Sequence, residues 1–354
     1  MNIRPIFAIA AVSLVPAAVI AVDSNLLGNF SVSNTFAAGT PARASEVNQN
    51  FTEVTTALLS LDDRLSEIPT FTNIVNVATS GAAFTSIATA VASITDSSAS
   101  NPYLVKVAPG IYDESQQTQV PSFVRLEGAG AGVTVLRINL NGSFAAGAAV
   151  TLSDDSLISG MTVRNTANAG NAIGIAAAGV SATTAMEDVE VLVDGNGGLG
   201  HTAVANFDGD LRIRRSRLFA SGASTLNAAF TSSDSAGPFS QPLITNSELE
   251  GDGTVSGFAA FTSNTAAEIR ESRLNGDFRG IQANINGINR LHNSSVRTLG
   301  LNPVYEVSAG ASILSAGVEL IGGNALGLAS QLKYVHCYKS NLNPVANGFG
   351  SAIQ

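Results

Sequence analysis

The stretch LRIRRSRLFA, residues 211–220, contains the pattern that decides the fold. From Ile213 it reads apolar, polar, polar, small, polar, apolar (IRRSRL). The same order recurs as ISGMTV (158–163), MEDVEV (186–191), ITNSEL (244–249), IRESRL (269–274), LHNSSV (291–296) and ILSAGV (313–318). Successive starts lie 28, 27, 31, 25, 22 and 22 residues apart, so the longer spacings read as the same unit carrying loop insertions. A unit recurring in the twenties of residues is the signature of a solenoid. Each copy alternates apolar residues over a short run bounded by Gly, Asn, Asp or Ser, which is strand patterning. No LxxLxLxxN frame is present, which sets aside leucine-rich repeats. The reading is all-β: a single-stranded right-handed parallel β-helix with one repeat per coil.

Stacking the copies gives the columns of that helix, because equal offsets on neighbouring rungs lie about 4.8 Å apart. The first column is Ile158, Met186, Ile213, Ile244, Ile269, Leu291, Ile313, and the sixth is Val163, Val191, Leu218, Leu249, Leu274, Val296, Val318. Both are apolar throughout and belong in the core. The fourth column turns from Met161 and Val189 to Ser216, Ser247, Ser272, Ser294 and Ala316, which suits an inward corner of small side chains. In the fifth column Glu190, Arg217, Glu248 and Arg273 alternate in sign, and Glu187 faces Arg214 as Asp188 faces Arg215. Opposite charges across neighbouring strands contribute about 0.2–1 kcal/mol each. Read alone, Arg212–Arg217 is a basic, nucleic-acid-binding patch. Read in register it is a charge ladder, and a net charge of −9 with 13% charged residues argues for the ladder and against nucleic acid as a partner.

The 354 residues suffice for one large solenoid with extensions, and a single Cys leaves no internal disulfide framework. Residues 1–21 carry Arg4 and an apolar run from Ile6 to Ala21 broken by Pro16, with small residues at the exit. This reads as a cleaved secretory signal peptide, the competing reading being an uncleaved anchor. The expected location is therefore secreted or cell-surface, with no membrane span after cleavage. Residues 22–69 form an N-terminal extension. In it Val47, Phe51, Val54, Leu58, Leu61, Leu65 and Ile68 make an a/d seam over residues 45–68, opened by Ser45 as N-cap and closed before Pro69. Such a seam serves either a parallel stalk, a homotrimer holding β-helices side by side, or a helix folded back on its own solenoid. This segment resembles the "aGTPaxAxeVNxNF" module that heads many secreted bacterial surface proteins.

The β-helix is expected over residues 70–325, followed by a C-terminal tail or cap over 326–354 that includes Cys337. FTSIATAVASI (84–94) has apolar residues at 84, 87, 91 and 94 and reads as a helix capping the open end of the solenoid. YLVKVAPGIYDES and VPSFVRLEGAGAGVTVL follow it. With Pro109, Gly110, Tyr112, Glu114, Leu126, Gly128, Gly130, Thr134 and Leu136 in place, this order resembles the opening coils of pectinesterase-like proteins of the pectin-lyase-like superfamily. The resemblance implies the β-helix fold. It does not imply activity, since these are turn and stacking residues and the catalytic runs of pectinesterases and polygalacturonases are not found. Asp154-Asp155 and Gly200-His201 match polygalacturonase motifs only nominally.

Metal-dependent pectate lyases use clustered carboxylates for calcium and an arginine as base. The nearest candidates are Asp208, Asp210 and Arg212, although Asp208 and Asp210 flank Gly209 as a turn would. His201, His292 and His336 have no ligand spacing, so no metal site and no cofactor are expected; calcium enters only under the lyase reading. Two function classes remain. One is a non-enzymatic exported β-helix that binds a polysaccharide or cell-surface glycan, as an adhesin or matrix component. The other is a polysaccharide lyase or hydrolase acting in a groove, using carboxylates such as Asp188, Asp208, Asp210 and Asp252. The long spacings place loops at 194–207 and 220–241, and Phe207, Phe219, Phe230 and Phe239 lie in or beside them as candidate sugar contacts or as core caps.

Overall fold

The computed structural model describes residues 33–34, 43–66, 71–235, 239–253, 257–308, 310–323, 325–326, 331–339 and 348–349; the expected signal peptide lies outside them. The chain divides into two units, Met1–Thr70 and Phe71–Gln354. In the first, helix α1 spans Ala44–Ser66. It starts before the expected Ser45 cap because Glu46 supplies one: its carboxylate accepts the Arg43 N–H at 3.4 Å, the reach-back half of a capping box with Arg43 at the N-cap. Asn50 holds the preceding segment to the helix, donating to the Asn34 carbonyl at 2.7 Å and accepting the Asn34 N–H at 3.1 Å. Val47 and Val54 of the heptad seam are half-buried and Phe51 is exposed.

The second unit is a right-handed parallel β-helix of about nine turns. One coil shows the plan. Arg212–Arg214 lies in sheet I, Arg217–Ala220 in sheet II and Leu226–Ser233 in sheet III, before Leu243–Thr245 returns to sheet I. Among the described residues every strand pairs in parallel with its counterpart one coil away, except that Leu332–Val335 also meets Gly348–Phe349 antiparallel. Helix α2, Ile87–Ala92, closes the N-terminal end and is shorter than the 84–94 expected from its apolar spacing. Ser86 caps it, and Glu114 fixes the cap by accepting the Ile87 N–H at 2.6 Å and the Ser86 hydroxyl at 2.7 Å. Phe84, outside the helix, bridges to Val77 in sheet I.

The first column is continuous in register from Leu126 through Ile158, Met186, Ile213, Ile244 and Ile269 to Leu291, all fully buried. Its last expected member is displaced. Leu291 pairs with Ser315 and Val296 with Leu320, so the rung begins at Ser315 rather than Ile313. A shift of two residues keeps every side chain on its face, so alternation alone cannot detect it. The corner can. The third residue of each copy has positive φ: Gly160, Asp188, Arg215, Asn246, Glu271, Asn293 and Gly317. Gly317 is third only when Ser315 is first.

Stacking also continues past residue 325, replacing the expected tail with another coil. Leu332–Val335 pairs with sheet I and Tyr338–Lys339 with sheet II, and His336 repeats the positive φ. Cys337 therefore occupies the fourth, serine column. Its buried thiol reaches the Ser315 carbonyl at 3.4 Å, and burial pushes its pKa up.

The corner is held by a serine ladder. Ser216 N–H donates to Ser247 Oγ at 3.1 Å, Ser247 N–H to Ser272 Oγ at 3.1 Å and Ser272 N–H to Ser294 Oγ at 3.2 Å. Each hydroxyl in turn donates to the carbonyl two residues earlier in its own strand, at 2.7–2.8 Å. The corner leaves these amides without a cross-strand carbonyl, and the hydroxyls fill that role.

The expected loops at 194–207 and 220–241 largely contain strands. Gly200–Phe207 and Leu226–Ser233 are full members of sheet III. Their alternation is interrupted because two successive residues face the core, Ala203-Val204 and Ala229-Phe230, and in the paired strand Asn171–Ala178 the core is too close for a side chain at Gly174, where a Cβ would lie 2.2 Å from Val191 Cγ1.

Candidate functional site

The expected catalytic group is committed to the scaffold. Asp208, at φ 50°, accepts the Ser235 N–H at 2.7 Å and the Ser235 hydroxyl at 2.8 Å. Asp210 accepts the Gln241 N–H at 2.6 Å, and Arg212 Nε donates to the Ala182 carbonyl at 2.9 Å. Both aspartates therefore tie a turn to the next coil. Asp210 and Arg212 also line a recess of about 230 Å³ with Glu268 and Arg290. Of the other carboxylates, Asp188 is bound to Arg215 at 2.9 Å. Among the described residues no group of three His, Cys, Asp or Glu side chains could hold a metal ion.

The charge ladder is in register: Glu190, Arg217, Glu248 and Arg273 occupy successive rungs of sheet II. Arg217 reaches Glu190 at 3.1 Å, Glu250 at 3.3 Å and Glu248 at 3.7 Å. These opposing contacts raise the Arg217 pKa against the cost of burial, which is the largest single influence and acts the other way. Arg214 meets Glu187 at 3.1 Å. Arg273, by contrast, has no ion-pair partner within 4 Å among the described residues.

The outward face of sheet III carries a different surface. Along the column Ala176, Ala205, Thr231, Phe261, Gln282 and Glu306 pair rung to rung, changing from small to hydroxyl to aromatic to polar. A neighbouring column brings Ile173, Thr202, Ala228, Phe258 and Arg279 together. Ala148, Ile173, Ala176 and Ala205 form a small apolar cluster separate from the core. A recess of about 300 Å³ lies on this face, with Ile173, Thr202, Leu226, Thr231 and Phe261 in its lining.

Beside the recess, Phe258 meets Phe261 edge-on at 6.0 Å and Phe278 edge-on at 5.6 Å between ring centroids. Arg279 lies over Phe278, 3.7 Å from the ring centre, and pairs with Glu306. At the turn entering this face, Asp252 and Asp277 share a hydrogen bond. That bond, then partial burial, then the charges of Asp277 and Glu250, hold the Asp252 carboxyl above the usual carboxylate range.

The expected aromatic set is only partly on this face. Phe207 ends a sheet III strand in register with Ala178 and Ser233 and is half-buried. Phe230 is fully buried in the core, because it sits one residue before the outward Thr231. Phe219 lies on sheet II under Arg217, whose guanidinium carbon is 5.6 Å from the ring centre. Phe239 is half-buried beside the turn after sheet III. The aromatic cluster of Phe258, Phe261 and Phe278 was not found by sequence reasoning. The available signal was the repeat itself: Phe258 and Phe261 occupy the offsets of Ala228 and Thr231 one coil earlier.

No family model and no curated protein matches the chain. Solved structures do. A pectate lyase is 12% identical over 78% of this chain and 80% of its own, with a TM-score of 0.53. A DFA-IIIase from Arthrobacter chlorophenolicus is 13% identical over 70% of this chain and 72% of its own, with a TM-score of 0.48. Pectin methylesterase from carrot is 14% identical over 76% of this chain and 90% of its own, with a TM-score of 0.44. The pectate lyase match shows a shared pectin-lyase-type β-helix fold, and at this identity only the fold.

Proposed function

We propose that this chain is an exported, glycan-binding β-helix whose binding surface is the outward face of sheet III, and that it acts without catalysis. The observation that carries this reading is the half-buried Phe261 and Phe278, each packed edge-on against the buried Phe258, beside a recess lined with hydroxyls and apolar side chains. Such a surface can stack on the apolar faces of sugar rings while threonine and serine hydroxyls accept and donate at their edges. Export is supported by the sequence of residues 1–21. The use of Asp208 and Asp210 as backbone acceptors supports binding over lysis, since each already holds the turn of the next coil. Through the a/d seam of residues 45–68 the chain forms a homotrimeric stalk, which light scattering on the mature chain tests: a trimer mass is expected, and a monomer mass overturns it.

A second reading, a polysaccharide hydrolase or lyase, is favoured by one observation. Asp252 shares a hydrogen bond with Asp277 and its carboxyl is raised, as a general acid beside a carboxylate base would be. The experiment that separates the two readings is release of reducing ends and unsaturated products from acidic and neutral polysaccharides, with and without calcium. The binding reading expects none. Product release that Asp252→Asn abolishes would establish the enzyme.

A further inference from the structure

A second concavity follows the corner joining sheets I and II, on a different face from the aromatic cluster. Two adjoining recesses of about 420 and 410 Å³ share Glu271 and Arg273. The buried corner serines form the floor, and the third and fifth columns form the walls. The trough therefore runs parallel to the solenoid axis, one rung every 4.8 Å or so.

Glu271 is the anomaly in this trough. Its column requires left-handed backbone, which Gly and Asn tolerate and a longer L-residue resists. Gly160, Asn246, Asn293 and Gly317 meet that requirement at low cost, yet Glu271 adopts φ 51°. Arg215, at φ 47°, gains a bidentate pair with Asp188 in return. Glu271 gains nothing visible: its exposed carboxylate has no partner among the described residues. Two residues on, the Arg273 guanidinium has none either. Strained residues of this kind, uncompensated within the fold, gather at binding sites.

We propose that Glu271 and Arg273 are the centre of a second carbohydrate groove, which takes a neutral, extended glycan chain parallel to the solenoid axis. A carboxylate accepts hydrogen bonds from two neighbouring hydroxyls, and a guanidinium donates to hydroxyl and ring oxygens. Placing both on one rung disfavours a polyanion and a polycation alike, since each would meet one repulsive charge. A hydroxyl-rich, uncharged chain satisfies both groups. Asn293 and Ser295 on the next rung extend the same chemistry, and Tyr338 offers a flat face toward the C-terminal end. The groove stands independently of the sheet III surface.

The test is native gel electrophoresis of the full mature chain in gels containing xyloglucan, galactomannan, hydroxyethyl cellulose or laminarin. At least one of these neutral probes is expected to retard the wild type. Arg273→Ala is expected to weaken that retardation about tenfold, the loss of one or two hydrogen bonds to a charged group. Glu271→Asn is expected to weaken it as well while raising the melting temperature, because Asn relaxes the left-handed backbone. That combination separates lost binding from lost folding. The proposal is overturned if no neutral probe retards the wild type, if both variants are retarded like the wild type, or if Glu271→Asn lowers the melting temperature. Loss in these two variants with no effect of Phe261→Ala would support the corner groove and count against the sheet III surface.

Discussion

The corner between sheets I and II and the outward face of sheet III are built on opposite terms. At the corner every rung from Gly160 to Gly317 opens on a left-handed residue, and three successive rungs, 215–218, 246–249 and 271–274, repeat one solution after it: serine, charged residue, apolar residue. The serine ladder fixes the distance between rungs and the charges alternate across it. On sheet III no outward column keeps one residue type along its whole length. It passes from Ala205 to Thr231, Phe261, Gln282 and Glu306 within five coils. Regularity marks where the fold is specified. Variation on a fixed scaffold marks where a surface is free to be shaped for a ligand, and Glu271 departs from the rule of the regular corner with no side-chain partner among the described residues to offset it.

Substitutions can break this comparison in order of size. Ile213→Ala removes a fully buried first-column side chain between two coils, and about 2–5 kcal/mol of stability should be lost in urea unfolding. Ser247→Ala strips the buried Ser216 N–H of its acceptor, while the Thr245 carbonyl keeps the Arg215 N–H. An expected loss of about 1–3 kcal/mol follows from leaving that amide unpaired. Phe261→Ala on the outward face should cost less than either while removing glycan binding; a loss as large as that of Ile213→Ala would mean that the aromatic cluster is structural.

Arg217→Ala, at a rim where solvent reaches the charges, should cost at most about 1 kcal/mol, and the effect should shrink in high salt. The smallest effect concerns pH. The folded chain holds the Asp252 proton more tightly than the unfolded chain does, so this group destabilises increasingly as pH rises from the ordinary carboxylate pKa through its raised folded value. Asp252→Asn should therefore stabilise the chain above that window and make no difference below it, which thermal melts between pH 3 and 7 can read directly. A stabilisation that is present at low pH and fades as pH rises would reverse the assignment.

The regular half of the molecule was legible in the sequence. Ile158, Met186, Ile213, Ile244, Ile269 and Leu291 stack in the order their spacing implies, and Glu187, Asp188 and Glu190 meet Arg214, Arg215 and Arg217. At the last rung alternation is satisfied equally by Ile313 and Ser315 in first position, because a two-residue shift leaves it intact; the left-handed third position, Gly317, fixes Ser315. Sheet III was hidden for a physical reason. Its inward positions are filled by residues such as Ala203, Ala229 and Ala259, whose small side chains suit a crowded interior but carry little alternation. Segments that should have been recognised as strands therefore looked like loops, and Phe230 looked available when it lies in the core. Asp208 and Asp210 illustrate the converse: their spacing around Gly209 signalled a turn, and a turn is what they serve.

The measurement that tests the central claim most directly is retardation of the wild type and of Phe261→Ala in gels containing the neutral probes above, alongside polygalacturonate and alginate. The account expects the wild type to be slowed by at least one polysaccharide that it does not cleave, and Phe261→Ala, folded by its melting curve, to lose part or all of that retardation. Retardation unchanged in Phe261→Ala, or no retardation of the wild type by any polysaccharide, would contradict the assignment of the sheet III face as a glycan-binding surface.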